Sequence, residues 1–184
     1  MDRKEFLRTC AGGLCACAAA CVTAPASTAE AANPDDWKLP FVKRRYAKLV
    51  EFLSEEMDEK ALNSTLHKLG SFCSSELNGA FEKYRGDVQG FGDFIRQGKS
   101  GDYVTYDREK GVITMTTGER ADCFCPLNSV AVKTPGVVCN CSLGWQQHTW
   151  ETLLQKKVRV ELKEAVLRGG KHCTFEIQIL DEFI

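Results

Sequence analysis

Cysteines are the residues of this chain whose type and spacing are best suited to chemistry. Thiolates bind soft metal ions, pair as disulfides or act as nucleophiles. Five cysteines fall close together in the C-terminal half of the sequence: Cys123 and Cys125, then Cys139 and Cys141, and finally Cys173. The elements that position these thiols decide which of the three uses applies.

A metal site is the first use. Side chains two residues apart on an extended segment point the same way, so both thiolates of a Cys-x-Cys pair can face one ion at Zn–S distances of about 2.3 Å. The two pairs would supply four sulfur ligands to zinc, with Cys173 as a fifth candidate. Acidic residues that can complete a metal shell, or orient a base, are Asp122, Glu161 and Glu164.

Disulfides are the second use, in which the cysteines only staple loops. Six of the ten cysteines lie beyond residue 31 and allow many pairings. Cys73 continues an apolar helical stripe that includes Leu66 and Leu69, so we expect it to be a buried free thiol outside any bridge.

Catalysis is the third use, with Cys125, Cys141 or Cys173 as the nucleophile. A nucleophilic cysteine needs a base within hydrogen-bond reach and a lowered pKa. His172 is adjacent to Cys173, but adjacent residues on a strand face opposite sides. His148 lies on a predicted helix just after Cys141 and is the better candidate for the base.

The N-terminus is typical of an export signal. Arg3–Arg8 resembles a twin-arginine motif in which Lys4 replaces the second arginine, and a mild apolar stretch follows. Ala29 and Ala31 form a small-residue cleavage site. Ala18–Ala20 lacks the leucine that usually precedes a lipid-anchor cysteine, so we do not expect such an anchor at Cys21.

These features divide the chain into an export signal at 1–31, a linker at 32–40 and a single domain at 41–184. We expect the protein to be exported, in the periplasm or another extracytoplasmic compartment. Such a compartment favours disulfides. Twin-arginine export, however, carries folded proteins, so a metal can be bound before the thiols leave the reducing cytoplasm.

Composition limits the classes of partner. The chain has 184 residues and a formal net charge of −1. It has no basic stripe of the kind that binds nucleic acid, and no second apolar run long enough to span a membrane. We therefore expect no nucleic-acid partner and no membrane span, and the sequence leaves association into a homodimer open.

Hydrophobic periodicity predicts the fold class. Helical spacing is found at 42–57 and, after a capping Asp58, at 62–73, with a shorter helix at 87–97. β-prone runs at 103–106 and 112–116 indicate a hairpin, a helix follows at 143–155, and strands are predicted at 158–162 and 173–179.

This order predicts an α+β fold in which N-terminal helices pack on an antiparallel sheet of about four strands, formed by two hairpins with an intervening helix. A pocket between the two layers would suit a small apolar or aromatic ligand.

A resemblance to a known family lies in the predicted C-terminal hairpin. The segment from Val158, with Gly169-Gly170-Lys171-His172-Cys173-Thr174-Phe175 at its second strand, resembles the ending of the 4-vinyl reductase-type small-molecule-binding domains. That superfamily includes a bacteriochlorophyll biosynthesis protein and the phenol-sensing domains of some transcription activators. The resemblance implies a zinc site at Cys173, at Cys141 or Cys139, and at Glu161 or Glu164; a further sensor cysteine falls near Ala165 here.

A second resemblance lies in Cys125-Pro126, Cys141 and the Gly-Gly-x-x-Cys173 strand, over roughly residues 100 to 180. These motifs resemble the L-2-amino-thiazoline-4-carboxylic acid hydrolase family, and in particular bacterial relatives with a Cys-x-Cys-Ser-x-Gly-Trp segment. In the hydrolases an aspartate usually follows the mid-chain cysteine, whereas Ser142 follows Cys141 here.

The sequence thus favours an exported small-molecule-binding protein that also binds a metal, zinc, through its cysteine cluster. The alternatives are a hydrolase of a cyclic C–N bond, such as that of a thiazoline carboxylate, and a disulfide-stapled structural or interaction domain.

Overall fold

The computed structural model describes residues 36–98 and 101–183. The predicted export signal at 1–31, with Cys21, and the first residues of the predicted linker lie outside the described residues. The helices of the described part are α1 (Lys38–Glu56), α2 (Glu59–Ser75), α3 (Asn78–Phe81), α4 (Val88–Gln97) and α5 (Cys139–Leu154). The strands are β1 (Tyr103–Asp107), β2 (Val112–Thr116), β3 (Lys156–Glu164) and β4 (Thr174–Phe183), and 3₁₀ turns lie at Glu82–Tyr84, Gly136–Val138 and Val166–Arg168.

The four strands form one antiparallel sheet in the order β1-β2-β4-β3. β1 and β2 form the first hairpin, and β3 and β4 form the second. β2 pairs with β4 so that Ile113 lies opposite Ile177. The predicted α+β fold, with two hairpins and an intervening helix, is confirmed.

Side chains of α4, α5 and one face of the sheet fill the space between the layers. Trp150 and Leu153 of α5 meet Ile113 and Ile177 of the sheet, and each of these side chains is at most 1% exposed. Phe91 of α4 packs edge-on against Trp150, with 5.4 Å between ring centroids. Burial of each such side chain contributes about 1.5–3 kcal/mol, so this cluster is the main core of the domain.

Capping residues set where two of the helices begin. Asp58 precedes α2 and its Oδ1 accepts a hydrogen bond from the N–H of Ala61 at 2.9 Å, as the sequence predicts. Asp87 precedes α4 in the same way and accepts from Gly90 N–H at 2.8 Å. Such caps satisfy N–H groups that have no partner within the helix. None of the described helices combines the length and apolar composition that a bilayer crossing requires.

Helices α2 and α5 run parallel and approach closely along a polar seam. The Ser71 hydroxyl donates to the carbonyl oxygen of Gly144 at 3.2 Å. Further along, the buried hydroxyls of Ser74 and Thr149 lie 2.8 Å apart. Asn63 and Asn140 are hydrogen-bonded at the start of the seam.

Two glycines make this approach possible. A Cβ atom at Gly70 would overlap the carbonyl oxygen of Cys141, and one at Gly144 would overlap the carbonyl oxygen of His67. Neither neighbour can yield cheaply, because both are helix backbone. The seam therefore fixes the distance between the middle of α2 and the first half of α5.

Replacing Gly144 with alanine is expected to lower the free energy of unfolding by about 2–4 kcal/mol, because the two helix backbones must separate. Urea denaturation followed by circular dichroism measures this. Gly79→Ala is the matched control, since a Cβ there meets nothing within 4 Å. Equal unfolding midpoints for Gly144→Ala and the unmodified chain would show that the seam does not constrain the fold.

Candidate thiol site

All six cysteines of the described residues are free thiols, and they come from four segments that the fold brings together. One lies in the last turn of α2, two in the loop between β2 and α5, two in the first turn of α5, and one directly before β4. In this order they are Cys73, Cys123 and Cys125, Cys139 and Cys141, and Cys173.

The pair Cys139 and Cys141 does not have the geometry that the sequence predicts. Both residues belong to α5, where side chains two positions apart diverge by about 200°. Cys139 is buried and interacts with Arg168, whereas Cys141 packs against the cluster that contains Val50 and Leu66. The prediction of an extended chelating pair is therefore wrong here, because α5 begins four residues before the predicted start of the helix.

Cys123 is the central member of the cluster. Its charge acts on the thiol of Cys125, on those of Cys139 and Cys141, and on that of Cys173. Spacing and family resemblance favoured Cys125, Cys141 and Cys173 over Cys123. Only the path of the loop, which the motif does not contain, brings Cys123 within electrostatic reach of the thiols of α5 and of Cys173.

Cys73 is a member of the cluster and not the buried core thiol that the sequence predicts. It is only half-buried, and its charge acts on Cys125 and Cys141 and on the phenol of Tyr46. The sequence does not indicate this role, because Cys73 continues the apolar stripe of α2. The signal that could have found it is Gly70, one turn earlier, where the backbone of α2 touches that of Cys141.

The loop that carries Cys123 and Cys125 is held at its base by Asp102. This carboxylate accepts hydrogen bonds from the Gly118 N–H and the Arg120 guanidinium, both at 2.8 Å. The ion pair is largely shielded, with side-chain exposures of 11% for Asp102 and 19% for Arg120. It ties the end of β2 to the residue that precedes β1.

Asp122 holds the next part of the same loop. Its carboxylate accepts from the N–H groups of Cys123 at 2.9 Å and Val130 at 2.8 Å, and from the Ser129 hydroxyl at 2.9 Å. Desolvation acts to raise the pKa of Asp122, but these hydrogen bonds outweigh it and keep the pKa below its ordinary value. The carboxylate considered for a metal shell is thus engaged in bracing the loop.

Thr117 positions Cys173 at the start of β4. The N–H of Cys173 donates to Thr117 Oγ1 at 2.9 Å, and the N–H of Thr117 donates to the carbonyl oxygen of Cys173 at 3.0 Å. The Nδ1 of His172 lies 3.0 Å from the Thr117 carbonyl oxygen. The His172 ring therefore contacts the backbone of Thr117.

The two candidate glutamates lie in different surroundings. Glu164 Oε1 accepts from the N–H groups of Lys171 at 2.7 Å and His172 at 3.2 Å, and these hydrogen bonds lower its pKa. Its charge also reaches Cys173. Glu161 is exposed and lies 2.7 Å from the ammonium group of Lys163, whose hydrogen bond lowers the pKa of Glu161.

His148, the candidate base, lies in the seam between α2 and α5. Its Nδ1 is 3.1 Å from the hydroxyl of Ser74. In the described parts of the chain, no hydrogen bond joins a histidine ring to a cysteine side chain. The structure therefore brings together the thiols but not the thiol–imidazole pair that nucleophilic catalysis needs.

Burial and mutual repulsion keep the clustered thiols protonated. Burial, followed by the charges of Cys73 and Cys125, raises the pKa of Cys141 to about 12. Burial raises the pKa of Cys139 to about 11 although Arg168 opposes the shift. Desolvation is also the largest cause of the raised pKa values of Cys125 and Cys173. The same two effects raise the pKa of the half-buried phenol of Tyr46.

The donor set suits a soft metal ion in chemistry but not in preformed geometry. Within the residues that the structure describes, no group of three or more Cys, His, Asp or Glu side chains stands in a ligating arrangement. One buried polar atom beside the cluster lacks a partner, the Oδ1 of Asn128, whose N–H donates to the Cys125 carbonyl oxygen at 3.1 Å. An unmatched acceptor at this position fits a site completed by a bound group.

A cavity of about 290 Å³ opens at the turn between β3 and β4, lined by Leu162–Ala165 and Arg168–Gly170. Arg168 connects this turn to the start of α5. Its Nε donates to the carbonyl oxygen of Gly136 at 3.1 Å, and its guanidinium donates to Asn140 Oδ1 at 2.9 Å. The cavity thus adjoins the side of the cluster that holds Cys139.

Comparison with known proteins gives likeness of fold alone. No family model matches the chain, and no curated protein sequence matches it. A trafficking protein particle complex subunit 3 from Naegleria fowleri, covalently bound to palmitic acid, is similar in structure, with a TM-score of 0.51 and 18% identity over 80% of this chain and 98% of that one. The phenol-responsive sensory domain of the transcription activator PoxR, bound to phenol, has a TM-score of 0.51 and 15% identity over 77% of this chain and 76% of that one.

The raised pKa values predict slow alkylation of the buried thiols. At pH 8 a pKa of about 11 for Cys139 leaves a thiolate population about a hundredfold smaller than the ordinary pKa of 9.0 does. We expect iodoacetamide to modify Cys139 about a hundredfold, and Cys141 about a thousandfold, more slowly in the folded, chelator-treated protein than in urea. The folded-state rate should keep rising up to about pH 11, whereas the rate in urea levels off near pH 9. Peptide mapping by mass spectrometry measures each site, and equal rates at pH 8 would contradict the shift.

Proposed function

We propose that this protein is an exported binding protein that holds a soft metal ion, zinc, in its cysteine cluster and binds a small apolar or aromatic molecule. One observation carries the metal proposal: six thiols from four segments of the chain come together, and one of them, Cys123, acts on thiols from three of those segments. A structural role for each thiol by itself would not require this convergence.

Electrostatics support a cation at this position. Crowded thiols can lose their protons together only if a positive charge offsets the repulsion between the thiolates. Arg168 reaches Cys139, and Arg120 reaches Cys173. On the other side, the pKa of Cys141 is set by burial and by other thiols, and no arginine or lysine is among its main causes that would lower it. A metal ion is therefore needed most among the thiols around Cys141.

The ligand set that we propose consists of the four thiols whose charges all act on Tyr46. The charges of Cys73 and Cys123 also act on Cys125, and those of Cys73, Cys123 and Cys125 act on Cys141, so each of the four interacts with at least two of the others. These residues are Cys73, Cys123, Cys125 and Cys141. Four thiolates form a familiar structural zinc site, whose metal contributes to folding stability.

The proposal of an apolar ligand rests on the fold and on exposed apolar side chains beside the thiols. Of the two structures compared above, the trafficking subunit is bound to palmitic acid and the sensory domain to phenol. In this chain Phe124, between Cys123 and Cys125, is 62% exposed, and Val130 on the same loop is 48% exposed. Exposed apolar surface that borders polar groups is typical of a binding surface.

The hydrolase alternative has less support, because a thiol with a raised pKa is a poor nucleophile at neutral pH. The disulfide alternative is favoured by the same convergence of thiols, given an oxidising compartment. Zinc content and free-thiol content distinguish the zinc-binding protein from the disulfide-stapled domain. Turnover of a thiazoline carboxylate that is lost in a folded Cys141→Ser variant would support the hydrolase.

Zinc content is the decisive measurement for the metal proposal. We expect untagged full-length protein, purified without chelators, to carry about one zinc ion per chain, and removal of zinc to make about four further thiols reactive toward Ellman's reagent. Cys141→Ser should weaken zinc affinity at least about a hundredfold, because a hydroxyl replaces one of four thiolate ligands.

Cys173→Ser is the matched control, since it removes a thiol of the cluster that lies outside the proposed ligand set. Equal loss of zinc affinity in both variants would overturn the ligand assignment. Protein with neither metal nor free thiols would overturn the metal proposal in favour of disulfides.

A further inference from the structure

Helix α1 presents a seam of exposed residues that is separate from the thiol cluster. The residues recur at alternate spacings of three and four, as in a coiled-coil seam: Val42, Arg45, Leu49, Phe52 and Glu56. All five are exposed, and the apolar members Val42, Leu49 and Phe52 are exposed by 43%, 51% and 52%. The opposite face of the helix is occupied, since Ala47 and Val50 are buried in the domain.

Charge along α1 is ordered in a way that disfavours the isolated helix. Four of its five basic residues lie in the first half and its last turn contains Glu55 and Glu56, with no acid in the first turn and no base in the last. A helix dipole favours the reverse order. Among the described residues, no ion pair includes Arg44, Glu55 or Glu56.

We propose that a second copy of the chain covers this seam, with its own α1 antiparallel to the first. In the register that places Leu49 of one copy against Phe52 of the other, Arg45 lies opposite Glu56 of the second copy. A twofold axis repeats each of these contacts. The seam is thus complementary to the same seam of a second copy. The order of basic and acidic residues along α1, which is unfavourable in the isolated helix, brings opposite charges together between the two copies.

Orientation follows from the same charges. A parallel pair would place Arg45 beside Arg45 and Glu56 beside Glu56, and like charges in contact destabilise an interface. A stable interface buries more than about 1,200 Å² of surface in total. We expect α2 to contribute to this buried area together with α1. Leu69 and Phe72 of α2 are 37% and 60% exposed and supply further apolar surface.

Complementary charge reversals test this dimer by sedimentation equilibrium of the full chain. The variants Arg44→Glu/Arg45→Glu and Glu55→Arg/Glu56→Arg should each raise the dimer dissociation constant at least about tenfold, because each brings like charges together at both ends of the seam. An equimolar mixture of the two variants should recover the dimer, since each then faces the opposite charge.

Unfolding does not explain a loss in the second variant, because it places basic residues in the last turn of α1, where the helix dipole favours them. Arg108→Glu/Lys110→Glu is the matched control, with the same change of charge on exposed positions of the turn between β1 and β2; it should leave dimerisation unchanged. Circular dichroism confirms that all variants are folded.

Two other outcomes would overturn the proposal. The first is an unmodified protein that stays monomeric at concentrations up to about 100 µM in about 0.15 M salt and that binds vesicles of phosphatidylcholine and phosphatidylglycerol. This result would assign the seam to a lipid surface. The second is a dimer that persists in both charge-reversal variants, which would place the contact between copies elsewhere.

Discussion

The close approach of α2 and α5 is the constraint on which the rest of this structure depends. Gly70 and Gly144 let two helix backbones touch, and hydrogen bonds such as that between Ser74 and Thr149 hold them in register. This contact places the first turn of α5 beside the middle of α2, at Gly70, and hence Cys141 near Cys73, one turn further along α2. On its other side α5 carries Trp150 into the core under the sheet. One helix thus links the thiol cluster to the main core.

The same arrangement sets the chemistry of the thiols. Cysteines that are partly removed from water and surrounded by other cysteines resist ionisation, and this makes them weak nucleophiles at neutral pH. It also makes them dependent on a counter-charge, which Arg168 and Arg120 provide at one side of the cluster only. Carboxylates that might have competed for a metal, Asp122 and Glu164, instead accept backbone hydrogen bonds that shape the loop and the turn.

Local patterns in the sequence were enough to predict much of the fold. Helical spacing located α1, α2 and α4, and alternation with a turn located β1 and β2, because the periodicity of apolar residues is imposed by the geometry of each element. Periodicity predicts a start of α5 that is four residues too late, because Cys139-Asn140-Cys141-Ser142 has no apolar face that distinguishes a helix from a loop. That error carried over to the site, because a pair read as extended becomes divergent when it is helical.

The sequence by itself determined the fold class, the order of the elements and the set of residues able to bind a soft metal. Tertiary structure alone decided which thiols meet: Cys73 joins the cluster, Cys123 lies at its centre and His148 faces a seam between helices. The physical reason is distance along the chain. Periodicity records which side of a helix or strand faces the core, whereas the meeting of Cys73 with Cys141 depends on a contact between two backbones that only a pair of glycines permits.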